Sequence, residues 1–276
     1  MLTFVSNDWV AERLDSPGIQ ILDPRSVLRY TAGHLKNAIN VPVAKARNAN
    51  NHIGSPDDLA RWLGAAGVDD RRTPVVYDNA DGRNAALLAW MLAYLGRDDV
   101  HVMTTFLEKW IDDGREIFYR PIKAAPQTFT ARVRPGLRRT LAQVQQDIQS
   151  HTAPKLIDFR SRDEFTGKVD HDNRPGHIPG AVNIVWEDLA GANGDILASQ
   201  NRIEQLLAAQ GIAGQDHVVA YCRLGPRAAL GFLALAKLGR NVSLYDGSYA
   251  EWAQSGSPVE TEENKPASES KGAGAS

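Results

Sequence analysis

The same pattern runs through this chain twice, and that duplication constrains the fold more than any other feature of the sequence. In the first half "IQILDPRSVLRYTAGHLKNAINVPV" (19–43) answers to "PKLIDFRSRDEFTGKVDHDNRPGHIPGAVNIVW" (154–186) in the second. Both carry Asp-x-Arg-Ser, then Gly-His-hydrophobic, then Ala-hydrophobic-Asn. Further on, "TPVVYDNADGRNAALLAWMLAYLG" (73–96) matches "HVVAYCRLGPRAALGFLALAKLG" (217–239), and "FLEKW" (106–110) matches "SYAEW" (248–252). Gly33 and Gly176, Asp78 and Cys222, and Trp110 and Trp252 stay 142 to 144 residues apart. A drift that small points to duplicated domains.

Within each copy, short apolar runs alternate with helical patterns, and runs such as "LIDF" and "VVAY" are too apolar to be half-exposed strands. The expected fold is therefore α/β, two tandem domains, each a mainly parallel sheet flanked by helices. A chain of 276 residues with 43% hydrophobic residues can fill two ordinary cores. Ser6 and Thr140 read as N-caps of the opening helices. The expected boundaries are a first domain over 1–119, a proline-containing, basic linker over 120–138, a second domain over 139–262, and a tail over 263–276. That tail has almost nothing to bury and is expected to be disordered.

A net charge of −2 and a pI near 6.4 leave no electrostatic footprint for nucleic acid or an anionic membrane, so any anion binding must be local. One cysteine excludes an internal disulfide, and no N-terminal segment pairs a basic stretch with an apolar run. A soluble, cytoplasmic, reduced monomer is the expectation, with neither nucleic acid nor membrane as partner.

That cysteine, Cys222, closes the apolar run "VVAY" and precedes a loop containing Arg223, Gly225 and Arg227, after which a long helical pattern begins. In parallel sheets, ligands bind where strand carboxyl ends meet helix N-termini. Unpaired N–H groups there, with two flanking arginines, favour a thiolate beside an anion site. The alternative is a small buried hydrophobe, the usual role of a lone intracellular cysteine. An inert core cysteine has no use for a basic, glycine-containing loop, so Cys222 is the candidate nucleophile, with Arg223, Leu224, Gly225 and Arg227 as candidate anion-binding residues. Pro226 removes one N–H from this cradle.

No G-x-S-x-G elbow, phosphate loop or C-x-x-C occurs, and His171 and His177 lack thiolate partners, so neither metal nor cofactor is expected. The first copy has Asp78 where the second has Cys222 and is expected to be inactive. Asp23 with Arg25, and Asp158 with Arg160, read as semi-buried structural pairs, because both copies keep them though only one has the thiol. The same logic makes His34 and His177 structural. Trp186, which has no counterpart in the first copy, and Arg174 are possible cleft-lining residues.

The duplicated Asp-x-Arg-Ser and Gly-His motifs, the strand-end cysteine in "YCRLGPR" and the closing "YDGSYAEWAQSGSPVE" together resemble the two-domain rhodanese-type sulfurtransferases, over about residues 1–262. The resemblance implies an enzyme with no cofactor. It would move sulfane sulfur from a small anionic donor to cyanide or a thiol through a persulfide on Cys222. The arginine after the cysteine is similar to thiosulfate-using members, whereas mercaptopyruvate enzymes tend to carry Cys-Gly-x-Gly. Thiosulfate is the expected donor; a mercaptopyruvate sulfurtransferase and a non-enzymatic persulfide carrier are the alternatives. Mammalian-type members place an arginine before the aromatic residue of the Asp-x-Arg segment, but Glu164 stands there before Phe165, leaving Arg227 or Arg174 to replace it. A phosphatase-like site would need five residues between cysteine and arginine, and here four separate Cys222 from Arg227.

Overall fold

The computed structural model describes residues 2–48, 52–150 and 154–261; the tail expected from residue 263 lies outside them. The first half runs β1 (Thr3–Val5), α1 (Asn7–Ala11), β2 (Ile19–Asp23), α2 (Val27–Thr31), β3 (Ile39–Asn40), α3 (Pro56–Ala65), β4 (Thr73–Val76), α4 (Arg83–Tyr94), β5 (His101–Met103) and α5 (Leu107–Asp112). The second runs α6 (Leu141–Asp147), β6 (Lys155–Asp158), α7 (Arg162–Thr166), β7 (Val182–Asn183), α8 (Gln200–Ala209), β8 (Val218–Tyr221), α9 (Pro226–Lys237), β9 (Val242–Leu244) and α10 (Ser248–Gln254). Strand order is β1-β5-β4-β2-β3 in one sheet and β7-β6-β8-β9 in the other, and every pairing is parallel. The duplicated α/β architecture read from the sequence is the one observed. In the second sheet the place of β1 is reduced to a single parallel bridge between Arg138 and Leu244.

Helix starts follow from local chemistry. The Ser6 and Thr140 side chains accept the N–H groups of Trp9 and Gln143, and Thr140 forms a full capping box with Gln143. The strands are apolar on both faces because helices cover both, which is why "VVAY" is buried from end to end.

The two halves share their largest core. Helices α4 and α9 pack against each other, and both are so rich in alanine and leucine that nearly every residue from Ala85 to Tyr94 and from Ala228 to Leu235 is buried. Small side chains let the two helices approach closely, and residues of both halves bury themselves in one shared cluster there. The segment expected as a linker is laid against the first half rather than hanging free. Gln127 N–H donates to Gly64 O at 2.8 Å, Arg132 and Arg134 N–H donate to Leu95 O and Tyr94 O at 2.8 Å, and Phe129 is buried.

Candidate active site

Strand β8 ends at Tyr221 and α9 begins at Pro226, so Cys222 to Gly225 form a tight strand-to-helix loop at the carboxyl end of the sheet. Gly225 makes the turn possible: its φ of +104° is closed to L side chains, and a Cβ there would meet Asp246 O at 3.2 Å. Cys222 is buried, at 1% exposure. Its Sγ accepts the Gly225 N–H at 3.0 Å, while its own N–H donates to Ser248 Oγ at 3.2 Å. The Ser248 hydroxyl in turn donates to Tyr245 O at 2.8 Å, and its φ of +57° is a left-handed conformation that a serine adopts only when its surroundings hold it there. The first N–H groups of α9, those of Arg227 and Ala228, have no acceptor within the helix by geometry and point toward the loop end. A sulfur anion at Cys222 therefore meets the Gly225 N–H in a buried site, where such a donor acts most strongly.

The two loop arginines are both held by carboxylates rather than turned onto the sulfur. Arg227 forms a two-pronged bridge to Glu164 at 2.6 and 2.9 Å, and Arg223 a two-pronged bridge to Asp172 at 2.9 and 3.1 Å, with His171 O as a further acceptor at 3.4 Å. Glu164, which stands where mammalian-type members place an arginine, has Arg227 as its partner. It also closes the capping box of α7 by accepting from Ser161. Burial pushes the Glu164 carboxyl up, but Arg227 and the Ser161 donors outweigh that and hold it at about 2. A carboxyl depressed in the folded state stabilises the fold above its unfolded pKa and loses that contribution as pH falls. Melting temperatures should therefore drop between about pH 4.5 and about 2. In Glu164→Gln this part of the drop should be missing, and identical acid profiles for both proteins would show that the pair contributes nothing.

Of the other expected residues, Trp186 lies at the domain contact, with the Arg83 guanidinium 4.5 Å above its ring. Arg174 is tied to Ser257 O at 2.7 Å, so it does not take up the vacant arginine role. Asp158–Arg160 and Asp23–Arg25 are fully buried, where semi-buried pairs were expected; each arginine also caps a loop carbonyl, Gly176 O and Gly33 O, at 2.7 Å. His34 and His177 bond backbone carbonyls and stack on Tyr30 and Phe165, a structural role in both copies.

In the first copy, Asp78 occupies the place of Cys222 and fills its own cradle. Its carboxylate accepts the N–H groups of Asn79, Asn84 and Ala85 at 2.8 to 3.0 Å, closing the N-terminus of α4. Burial raises its pKa to about 6 against the pull of those donors. The symmetry is otherwise kept: Leu107 N–H donates to Asp78 O as Tyr249 N–H donates to Cys222 O, both at 2.9 Å.

Besides Asp172, the carboxylate partner of Arg223, two residues at the site escaped the sequence reading. Ser248 is one, and its only signal is its place in the repeated "SYAEW" segment. The other is Arg47, from the first half, whose Nη2 donates to Leu224 O at 2.7 Å. Among the described residues no cluster of His, Cys, Asp and Glu could hold a metal ion, and no helix is long and apolar enough to cross a membrane.

The family model described as the Rhodanese-like domain matches residues 6–113 and 140–255. The thiosulfate sulfurtransferase of Corynebacterium glutamicum is 31% identical over 94% of this chain and 91% of its own. The sulfur carrier protein TtuD of Thermus thermophilus is 27% identical over 90% of this chain and 92% of its own. The crystal structure of the 3-mercaptopyruvate sulfotransferase SseA from Escherichia coli superimposes with a TM-score of 0.81 at 27% identity, covering 90% of this chain and 99% of that one.

Proposed function

The chain belongs to the rhodanese family and carries its domain twice, and from that premise we propose that it is a thiosulfate sulfurtransferase working through a persulfide on Cys222. The observation that carries the reading is the sole cysteine of the chain, seated in the strand-to-helix loop with the Gly225 N–H on its sulfur. The relatives of similar length named for thiosulfate support it.

In the forward step the Cys222 thiolate attacks the outer sulfur of thiosulfate. The sulfur–sulfur bond of the donor breaks, sulfite leaves with the electron pair, and Cys222 holds a persulfide anion. Cyanide or a thiolate then attacks the terminal sulfur, and the pair in the breaking bond returns to Sγ. Both steps move negative charge along one line of sulfur atoms, so what this chain must supply is fixed positive potential along that line. The loop N–H groups and the α9 terminus provide it, with Arg227 and Arg223 in the same loop. Their carboxylate partners hold the guanidinium groups in place and reduce the net charge that the donor meets. The small anionic donor and the thiol or cyanide acceptor are the only partners this reading requires, for a monomer in the cytoplasm.

The test is thiocyanate formation from cyanide with thiosulfate or with 3-mercaptopyruvate as donor. Turnover with thiosulfate alone supports the proposal, and turnover confined to mercaptopyruvate replaces it with that of the SseA relative. Loading without turnover makes the protein a carrier. Arg227 should matter more than Arg223, because it lies at the helix start and its charge couples to Cys222. Arg227→Ala is expected to raise the thiosulfate KM about tenfold or more, by loss of a charged contact of roughly 1.5–3 kcal/mol. Arg223→Ala should do less, and equal effects would leave donor binding to backbone N–H groups.

A further inference from the structure

Arg47 lies in the domain without the thiol, yet its guanidinium reaches the loop that holds it. It follows a turn of 3₁₀-helix at Val43–Ala46 and is fixed by an antiparallel bridge to Ile53, by Gly54 N–H donating to Ala46 O at 2.9 Å, and by Asn48 N–H donating to His52 O at 2.9 Å. From there Nη2 donates to Leu224 O at 2.7 Å and lies 3.6 Å from where a Cβ on Gly225 would be. Leu224 O and the Gly225 N–H are the two ends of one peptide unit. In a trans peptide, and none among the described residues is cis, the two point in opposite directions. The far end of that unit is the N–H that donates to Cys222 Sγ at 3.0 Å.

We propose that Arg47 is a positioning residue for sulfur transfer, acting on Cys222 through the Leu224–Gly225 peptide. A cation on the carbonyl draws electron density from the amide and strengthens the hydrogen bond its N–H gives to sulfur, since bonds in series polarise one another, more so in a buried site. It also fixes the plane of a peptide flanked by Gly225, a residue with little conformational preference of its own. The charges facing the half-buried Arg47 side chain support this: burial weakens its hold on a proton, and Asp246 and Cys222 are the groups that oppose that effect in part. Asp246 is in turn gripped at both oxygens by Arg138, at 2.7 and 2.8 Å, whose Nη2 also reaches Ile53 O at 3.3 Å. The domain without a thiol thus contributes the cation that orients the donor to the other domain's sulfur.

The inference rests on the sulfurtransferase reading only for its biological meaning, and the experiment separates the two. Wild type, Arg47→Met and Arg47→Lys are compared by single-turnover sulfur loading from thiosulfate and by the rate at which iodoacetamide alkylates Cys222. In Arg47→Met the maximal loading rate and the alkylation rate should each fall about tenfold to a hundredfold, the loss of one hydrogen bond from a charged donor. Half-saturating thiosulfate should stay within about twofold, because Arg47 acts on the sulfur and not on the donor. Lysine, which keeps the charge and one donor, should restore part of both rates. A purely structural arginine would lower the melting temperature without this split. If Arg47→Met does not fold, the same measurements are made on Arg47→Gln, which keeps a neutral donor: a fall in both rates at unchanged half-saturation supports the inference, and wild-type rates overturn it. Unchanged rates in a folded Arg47→Met, or a defect confined to half-saturation, also overturn it. A wild-type protein that takes up no sulfur refutes the sulfurtransferase reading, while the alkylation rates still decide the role of Arg47.

Discussion

Replacing Cys222 by alanine or serine removes all sulfur uptake: after thiosulfate treatment and desalting, the intact mass of either variant stays that of the bare chain. Wild type gains one sulfur atom and loses it to cyanide. Thiocyanate formation in the variants should fall by several orders of magnitude to the uncatalysed rate, as expected when a nucleophile is removed. The size of the effect follows from the chain itself. No second thiol exists to take over. At the equivalent strand end the first copy offers only Asp78, whose oxygens are already engaged by Asn79, Asn84 and Ala85 N–H groups. Serine is the sharper control, since its hydroxyl fits the same buried space and still accepts the Gly225 N–H, but cannot form a persulfide. Both variants should melt within a few degrees of wild type, because removing one buried atom, or exchanging sulfur for a hydroxyl of similar size, costs on the order of 1 kcal/mol. Sulfur retained by folded Cys222→Ser would refute the persulfide assignment.

What the sequence disclosed of this site, and what it hid, divides along the distance between partners in the chain. The fold was legible because a duplicated pattern is written twice, and the thiol loop was legible because Cys222, Gly225 and Arg227 lie within six residues. The pairs Asp23–Arg25 and Asp158–Arg160 were legible too, being two residues apart and present in both copies, though their complete burial was not. The partners of the loop arginines were hidden. Glu164 is 63 residues from Arg227 and Asp172 is 51 from Arg223, so only the fold brings them together. Arg47 is 177 residues from Leu224, has no equivalent in the second copy, and sits in a stretch without any motif. That positive charge flanks Cys222 could be read from the neighbouring residues. That both arginines would be balanced by carboxylates, and that a third would act through a carbonyl, depends on tertiary geometry alone.

Losing Arg160 should be among the most destabilising single side-chain changes outside the loop. Asp158 is wholly buried at the end of β6, and its two oxygens are met by Arg160 Nε at 2.9 and 3.1 Å and by Arg160 Nη2 at 2.7 Å. The same guanidinium bonds Gly176 O and lies 3.9 Å over the Tyr249 ring, while Phe159 N–H donates to Tyr221 O beside the thiol loop. Arg160→Met leaves a buried carboxylate without its counter-charge, a defect of about 3–5 kcal/mol. For domains of this size that corresponds to a fall of about 10 °C or more in melting temperature. Removing both charges, in Asp158→Leu/Arg160→Met, should recover most of the loss, because the cost lies in the unpaired charge and not in the missing pair. Arg25→Met supplies the control that separates folding from chemistry. Arg25 holds the buried Asp23 in the same way, in the copy that has no thiol. Similar destabilisation in both arginine variants, with sulfur loading by the folded fraction retained, is the expected result. A loading defect in Arg160→Met at unchanged melting temperature would instead make Arg160 part of the sulfur site and end the structural account of the duplicated motif.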